Sequence, residues 1–172
     1  MPLKSPMHPE SPLSAQDAVI ESSDPSVAEH VRRYVATDGA SGHREGGMTN
    51  LVLTHRGRKT GRRHRTGLFY GEDAGRYVLV ASGSVITHTH PQWYLNLAAD
   101  PEVQIQILAD RFDARARTAE GAERERLWLL MTELAPVYRT YEARSRRTIP
   151  VVVLDRIGTG PASLRQGPSA RP

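Results

Sequence analysis

Apolar and polar positions follow two periods along this chain, and the change between them marks out its elements. Ser23-Asp24-Pro25 is a helix start, with a capping side chain ahead of a proline at an early helical position. Val27, Val31, Tyr34 and Val35 then recur on one face and predict a helix that ends at Gly39. Ala40 to Gly47 reads as a flexible connector. From Asn50 the period becomes that of a strand. Leu51-Val52-Leu53 runs toward Gly57, the turn Arg58-Lys59-Thr60-Gly61 follows, and Arg62 to Tyr70 return as a second strand. A further turn at Glu72 to Gly75 leads into a third, Arg76 to Ala81. Strands joined by turns this short must be antiparallel.

After a loop from Ser82 to His90, Pro91 opens a short helix through Leu97, stopped by Asp100-Pro101. Glu102 to Leu108 alternates apolar and polar residues as a half-buried strand does, and Asp110-Arg111 turns it into Phe112 to Ala119. Glu120 to Glu133 reads as a helix with Leu127, Leu130, Met131 and Leu134 inward. Pro136 interrupts it, a second helical piece carries Tyr138, Tyr141 and Arg144 on one stripe, and Ile149 to Leu154 forms a buried final strand. The pattern amounts to about six antiparallel strands with roughly three helices and no strand-helix-strand alternation. It predicts a mainly β (α+β) fold, a closed or split antiparallel β-barrel with inserted and flanking helices. A doubly wound nucleotide-binding fold is set aside, since neither glycine-rich phosphate loop is present.

With 172 residues the chain fits one domain with a real core. That domain is expected over residues 23–157, between poorly ordered tails at 1–22 and 158–172 that are rich in Pro and Ser and have no periodicity. The absence of cysteine excludes a disulfide scaffold, a thiolate metal site and a Cys nucleophile. No apolar run approaches a membrane span and the N-terminus does not read as a signal peptide, so a cytoplasmic protein is expected, at most peripheral to a membrane.

Charge changes the picture once it is located. Thr54 to Thr66 holds six bases and no acid; taking these six from the 23 Lys and Arg leaves 17 bases against 19 acids in the rest of the chain. One basic hairpin on a slightly acidic body is not the footprint of a nucleic-acid binder. Within that hairpin, Gly57 and Gly61 permit backbone geometries closed to other residues, so consecutive N–H groups could face one concavity with Arg58 and Lys59 around it. Such a cradle suits a phosphate or a carboxylate. A solvated hairpin tip accounts for the same residues equally well.

The remaining chemistry is sparse. His55, His64, His88 and His90 have too few acids near them in sequence, and no cysteine, to complete a metal site. Ser82-Gly83-Ser84 lacks the elbow of a serine hydrolase. An enzyme built this way must take its reactivity from an organic cofactor. Trp93 and Asn96 lie one helical turn apart, as do Tyr138 and Tyr141; aromatics so spaced are usually core, but two phenols on an otherwise polar helix could cover a pocket.

Gly57-Arg58-Lys59-Thr60-Gly61, Ser82 after the third strand, the block Pro91-Gln92-Trp93-Tyr94-Leu95-Asn96-Leu97 with Asp100-Pro101, and Tyr138-Arg139-Thr140-Tyr141 ahead of Ile149 to Leu154 together resemble the deazaflavin-dependent nitroreductase family of actinobacteria. The resemblance runs in unbroken order over about residues 48–156. It implies a split β-barrel that binds the reduced deazaflavin coenzyme F420 and passes a hydride to a quinone, a nitroaromatic or another electrophilic small molecule. It also implies roles for particular residues. Arg58, Lys59, Thr60 and Gly61, with His64 or Arg65, would hold the coenzyme's phosphate and anionic tail, and Trp93 and Asn96 would support its site. Ser82 would lie beside the deazaflavin ring, with Tyr138 and Tyr141 facing the acceptor. Three departures accompany it. His64 stands where the family usually has arginine, Ala135 where a further tyrosine is common, and the loop after Ser82 lacks a lysine and is about a residue longer. FMN on the same barrel, or an F420- or ligand-binding protein without catalysis, are the competing expectations. No metal, no nucleic acid and no stable membrane insertion are expected, and a monomer or homodimer is.

Overall fold

Val151-Val152-Val153-Leu154 alternates between two buried environments, and that alternation divides the molecule into two main cores. The computed structural model describes residues 18–83 and 88–158; the tail expectations for 1–17 and 159–172 and the middle of the loop before Pro91 lie outside them. In chain order the elements are α1 (Pro25–Ala36), β1 (Arg44–Glu45), β2 (Met48–Arg56), β3 (Arg63–Phe69), β4 (Gly71–Asp73), β5 (Arg76–Val80), α2 (Gln92–Ala99), β6 (Glu102–Ile107), β7 (Asp110–Thr118), α3 (Gly121–Leu134), α4 (Val137–Arg144) and β8 (Val151–Ile157). The expected six strands become eight because the short hairpin arms β1 and β4 also pair, with β2 and β5 respectively.

All the strand pairings are antiparallel, in the order β3-β2-β6-β7-β8-β5-β4, and the sheet curls into a split barrel. Its register sets Leu53 opposite Ile105, Val103 opposite Ala114, Ala116 opposite Leu154 and Leu79 opposite Val152. These side chains fill the barrel interior together with Leu51, Tyr70 and Leu97. On the outer face, Val78, Val80, Val151 and Val153 meet Leu127, Met131 and Tyr138 from α3 and α4. A third, smaller cluster joins Val31 and Tyr34 of α1 to Val52. Fully burying each such Leu or Val is worth about 1.5–3 kcal/mol over leaving it exposed.

Three expectations are corrected. Residues 18–22 do not belong to a loose tail: Ile20 lies parallel to His64, donating to the Arg63 carbonyl at 2.8 Å and accepting from the Arg65 N–H at 2.9 Å. Ala40 to Gly47 is an ordered connection, in which Asn50 N–H donates to the His43 carbonyl at 2.7 Å and Gly39, Gly42, Gly46 and Gly47 take positive φ. On α3 the buried stripe is Leu127, Trp128, Met131 and Thr132, while Leu134 is 52% exposed. Leu134 lies beside Met131 against Gly71 of β4, at the border of the sheet, with its other side open to solvent.

The start of α1 follows the sequence closely. Asp24 Oδ1 accepts from the N–H groups of Ser26 at 2.8 Å and Val27 at 3.4 Å, satisfying two orphan donors ahead of the first turn.

Candidate active site

The turn between β2 and β3 is built by its two glycines in different ways. Gly61 has φ +68°, a left-handed conformation, and donates its N–H to the Gly57 carbonyl at 2.8 Å. Gly57 supplies room: a Cβ there would sit 2.9 Å from His64 Nε2 and 3.0 Å from Thr60 Oγ1. The donors of the turn are partly engaged. Gly57 N–H donates to the Arg62 carbonyl, Arg62 N–H to Thr60 Oγ1, and Arg58 N–H to Asn96 Oδ1 at 3.2 Å. The uninterrupted row of free N–H groups expected from the motif is therefore reduced, among the described residues, to those of Lys59 and Thr60.

Asn96 ties this turn to α2. Its Oδ1 also accepts from Arg58 Nη1 at 2.9 Å, and its Nδ2 lies 3.2 Å from His55 Nδ1. Because arginine only donates, the amide must turn its oxygen to Arg58 and its NH₂ to His55, which therefore accepts at Nδ1. His55 is buried and stacked on His64, with ring centroids 5.7 Å apart. Burial, with the His64 ring beside it, lowers its pKa to about 4, so it stays neutral. Of the hairpin's bases, Arg56 pairs with Asp100 and Arg65 with Glu21. Arg58, Lys59 and Arg62 have no carboxylate partner among the described residues.

Two cavities meet here. One of about 450 Å³ is lined by Arg58, Lys59, Thr60, His64, Arg65 and Asn96, with the segment Ile20 to Ser23 as its far wall. The other, about 560 Å³, is lined by Ser82, Tyr138 and Tyr141 and by the apolar Leu68, Phe69 and Val80. Trp93 and Thr66 line both and form the join. The structure thus gathers every expected site residue except Gly61, which shapes the turn without lining either cavity. The donor set of the first cavity is cationic and that of the second largely apolar, which fits a long coenzyme with an anionic tail and a flat ring.

Residues 26–156 match the F420H(2)-dependent quinone reductase family. The chain belongs to that family. It is 37% identical over 131 residues to an F420H(2)-dependent quinone reductase of Mycobacterium tuberculosis, covering 74% of this chain and 87% of the relative. Among solved structures it is similar to the F420-H2 dependent reductase FDR-A, with 36% identity, TM-score 0.57 and coverage of 62% of this chain and 93% of the other. A second, described as a domain-swapped dimer, shows 33% identity and TM-score 0.60 over 74% of this chain and 95% of the other. As a member of the F420H(2)-dependent quinone reductase family the chain is an F420H2-dependent oxidoreductase with coenzyme F420 as its cofactor.

Against that background the two tyrosines differ. Tyr138 is buried, and burial with the Tyr141 phenol nearby pushes its pKa up to about 12. Tyr141 meets it edge-on at 6.2 Å and is only half-buried. Ala135 does not open the acceptor side; it is 4% exposed and packs in the core beneath α3 and α4.

Four contributors were invisible to motif reasoning. Arg147 donates from Nη2 to the Ser82 carbonyl at 2.8 Å and from both Nη atoms to the Ala81 carbonyl at 3.3 Å, fixing the backbone at Ser82. His55 was weighed only as a metal ligand, Glu21 fell in the supposed tail, and His30 seemed part of a packing helix although it lines the larger cavity. In a chain this rich in arginine only the contact to Ser82 separates Arg147 from the others. A histidine facing the sheet at helical spacing was the one available signal for His30.

Proposed function

We propose that this chain reduces a quinone-type small molecule, holding the anionic tail of F420 against the Gly57–Gly61 turn and its ring in the adjoining apolar cavity. The observation that carries the proposal is the join at Trp93 and Thr66 between a cationic cleft and an apolar one. When bound, the reduced coenzyme supplies a hydride. The protein's own part is to bind, orient and shield. Lys59 and Arg58 offer charged donors to the tail, and Asn96 holds Arg58 in place from a buried position. Ser82, anchored through its carbonyl by Arg147, offers a hydroxyl at the ring cavity. Tyr138, with its raised pKa, keeps its proton and acts as a hydrogen-bond donor to the acceptor, while the aromatic and aliphatic lining excludes water.

Fluorescence titration with F420 tests the coenzyme site. Replacing Arg58 and Lys59 together by alanine removes two charge-assisted donors of about 1.5–3 kcal/mol each, so Kd should rise by about 100-fold or more. An unchanged affinity would reassign the hairpin to a solvated turn. Turnover of F420H2 with menadione tests the acceptor class.

A further inference from the structure

His30, on α1, has one ring nitrogen committed and the other not. Nε2 lies 2.9 Å from the Gly42 carbonyl, which can only accept, so this nitrogen carries a proton. Nδ1 has no hydrogen-bond partner among the described residues. It lies against Gly67, where a Cβ would stand 2.7 Å away, and both residues line the 560 Å³ cavity that also holds Ser82, Tyr138 and Tyr141. The absence of a side chain at Gly67 is what lets the imidazole edge reach that wall.

The charged and titratable groups around it come from every packed element. Glu45 of β1 lies 3.8 Å from Nε2, and Arg33 of α1 lies 3.1 Å from Glu45. Tyr34 meets the ring edge-on at 6.0 Å, His43 lies beyond Tyr34, and Tyr138 and Tyr141 face the same cavity from α4. Imidazole is the side chain that gains and loses a proton near neutral pH.

We infer that His30 is the catalytic residue that protonates the reduced acceptor, with Glu45 as its positioning partner. The inference rests on the quinone reading above. In reduction of a quinone by a dihydrodeazaflavin, the deazaflavin is oxidised by loss of a hydride and the quinone gains that electron pair, leaving one oxygen as a phenolate. His30 acts in its doubly protonated form: its Nδ1–H bond breaks, a phenol O–H bond forms, and Nε2 keeps its proton toward the Gly42 carbonyl. The N–H electron pair stays on Nδ1, and water entering the cavity after product leaves returns a proton to the same nitrogen.

Two measurements test this. His30→Gln keeps an N–H for the Gly42 carbonyl and removes the transferable proton. Its Kd for F420 should stay within about twofold of wild type, while menadione turnover should fall by about 10²–10⁴-fold, with the alkaline decline of the wild-type pH profile abolished. Separately, the coenzyme-free wild type should bind 4-nitrophenolate at neutral pH with uptake of a proton, read as a buffer-dependent heat of binding; His30→Gln should take up none. Turnover of the variant within threefold of wild type, or phenolate binding by wild type without proton uptake, overturns the role of His30. If the variant does not fold, the wild-type proton uptake and its NMR titration decide. Wild type that binds F420 yet leaves menadione unreduced overturns the quinone reading instead, and the phenolate titration still reports on His30.

Discussion

His55 shows how one buried side chain sets the state of its neighbours. It must be neutral, because an imidazolium would direct N–H at the Asn96 amide, whose other end is held by Arg58. Its folded pKa of about 4 lies below the ordinary 6.5, so between these values the unfolded chain binds a proton that the fold refuses. Stability should therefore fall as pH drops from 6.5 toward 4, by roughly 2 kcal/mol at pH 5 from this residue. Urea denaturation at pH 7 and pH 5 measures it, and His55→Gln should lose that component of the slope. Asn96→Ala should weaken F420 binding by about tenfold in a fluorescence titration, since Arg58 loses the acceptor for both its backbone and its guanidinium. Asn96 was legible from its motif, but the direction of its amide was not. Only the distances to a donor-only arginine and to a buried histidine fix it.

At the level of elements, periodicity located the six longer strands and each helix to within a few residues and missed the short β1 and β4. It failed on which face α3 presents. Leu134 obeys the same spacing as Leu127 and Met131, yet it sits against Gly71 at the sheet border and stays 52% exposed, and sequence period carries no information about where a supporting sheet stops. Met131→Ala should cost about 2–5 kcal/mol, whereas Leu134→Ala should change stability by about 0.5 kcal/mol, both read by urea denaturation. Equal costs would restore the sequence-based face. The connection from Ala40 to Gly47 was missed for a related reason. Its order comes from positive-φ glycines, from Asn50 Nδ2 donating to the His43 and Glu45 carbonyls and from the Tyr34 hydroxyl beside His43 Nδ1, none of which a glycine-rich composition reveals.

Across the whole molecule, charge is concentrated where the coenzyme tail is proposed to bind, on a body of slightly opposite sign. Affinity for F420 should therefore fall as NaCl rises from 50 to 500 mM, mainly through slower association, and stopped-flow fluorescence would show it. Among the described residues no helix is long and apolar enough to cross a membrane. The family and the two-part site were readable from short blocks because the turn, α2 and α4 each contribute adjacent residues to one cleft. Arg147 and His30 were not, since the fold brings them there from elements whose local pattern concerns only packing. A split barrel also leaves a border of unpaired backbone groups along β3, and Ile20 saturates two of them by lying beside Arg63 and Arg65. That one residue blocks the Arg63–Arg65 end of the border to a strand from another copy of the chain. Shortening the chain past Ile20 should raise light scattering at micromolar concentration.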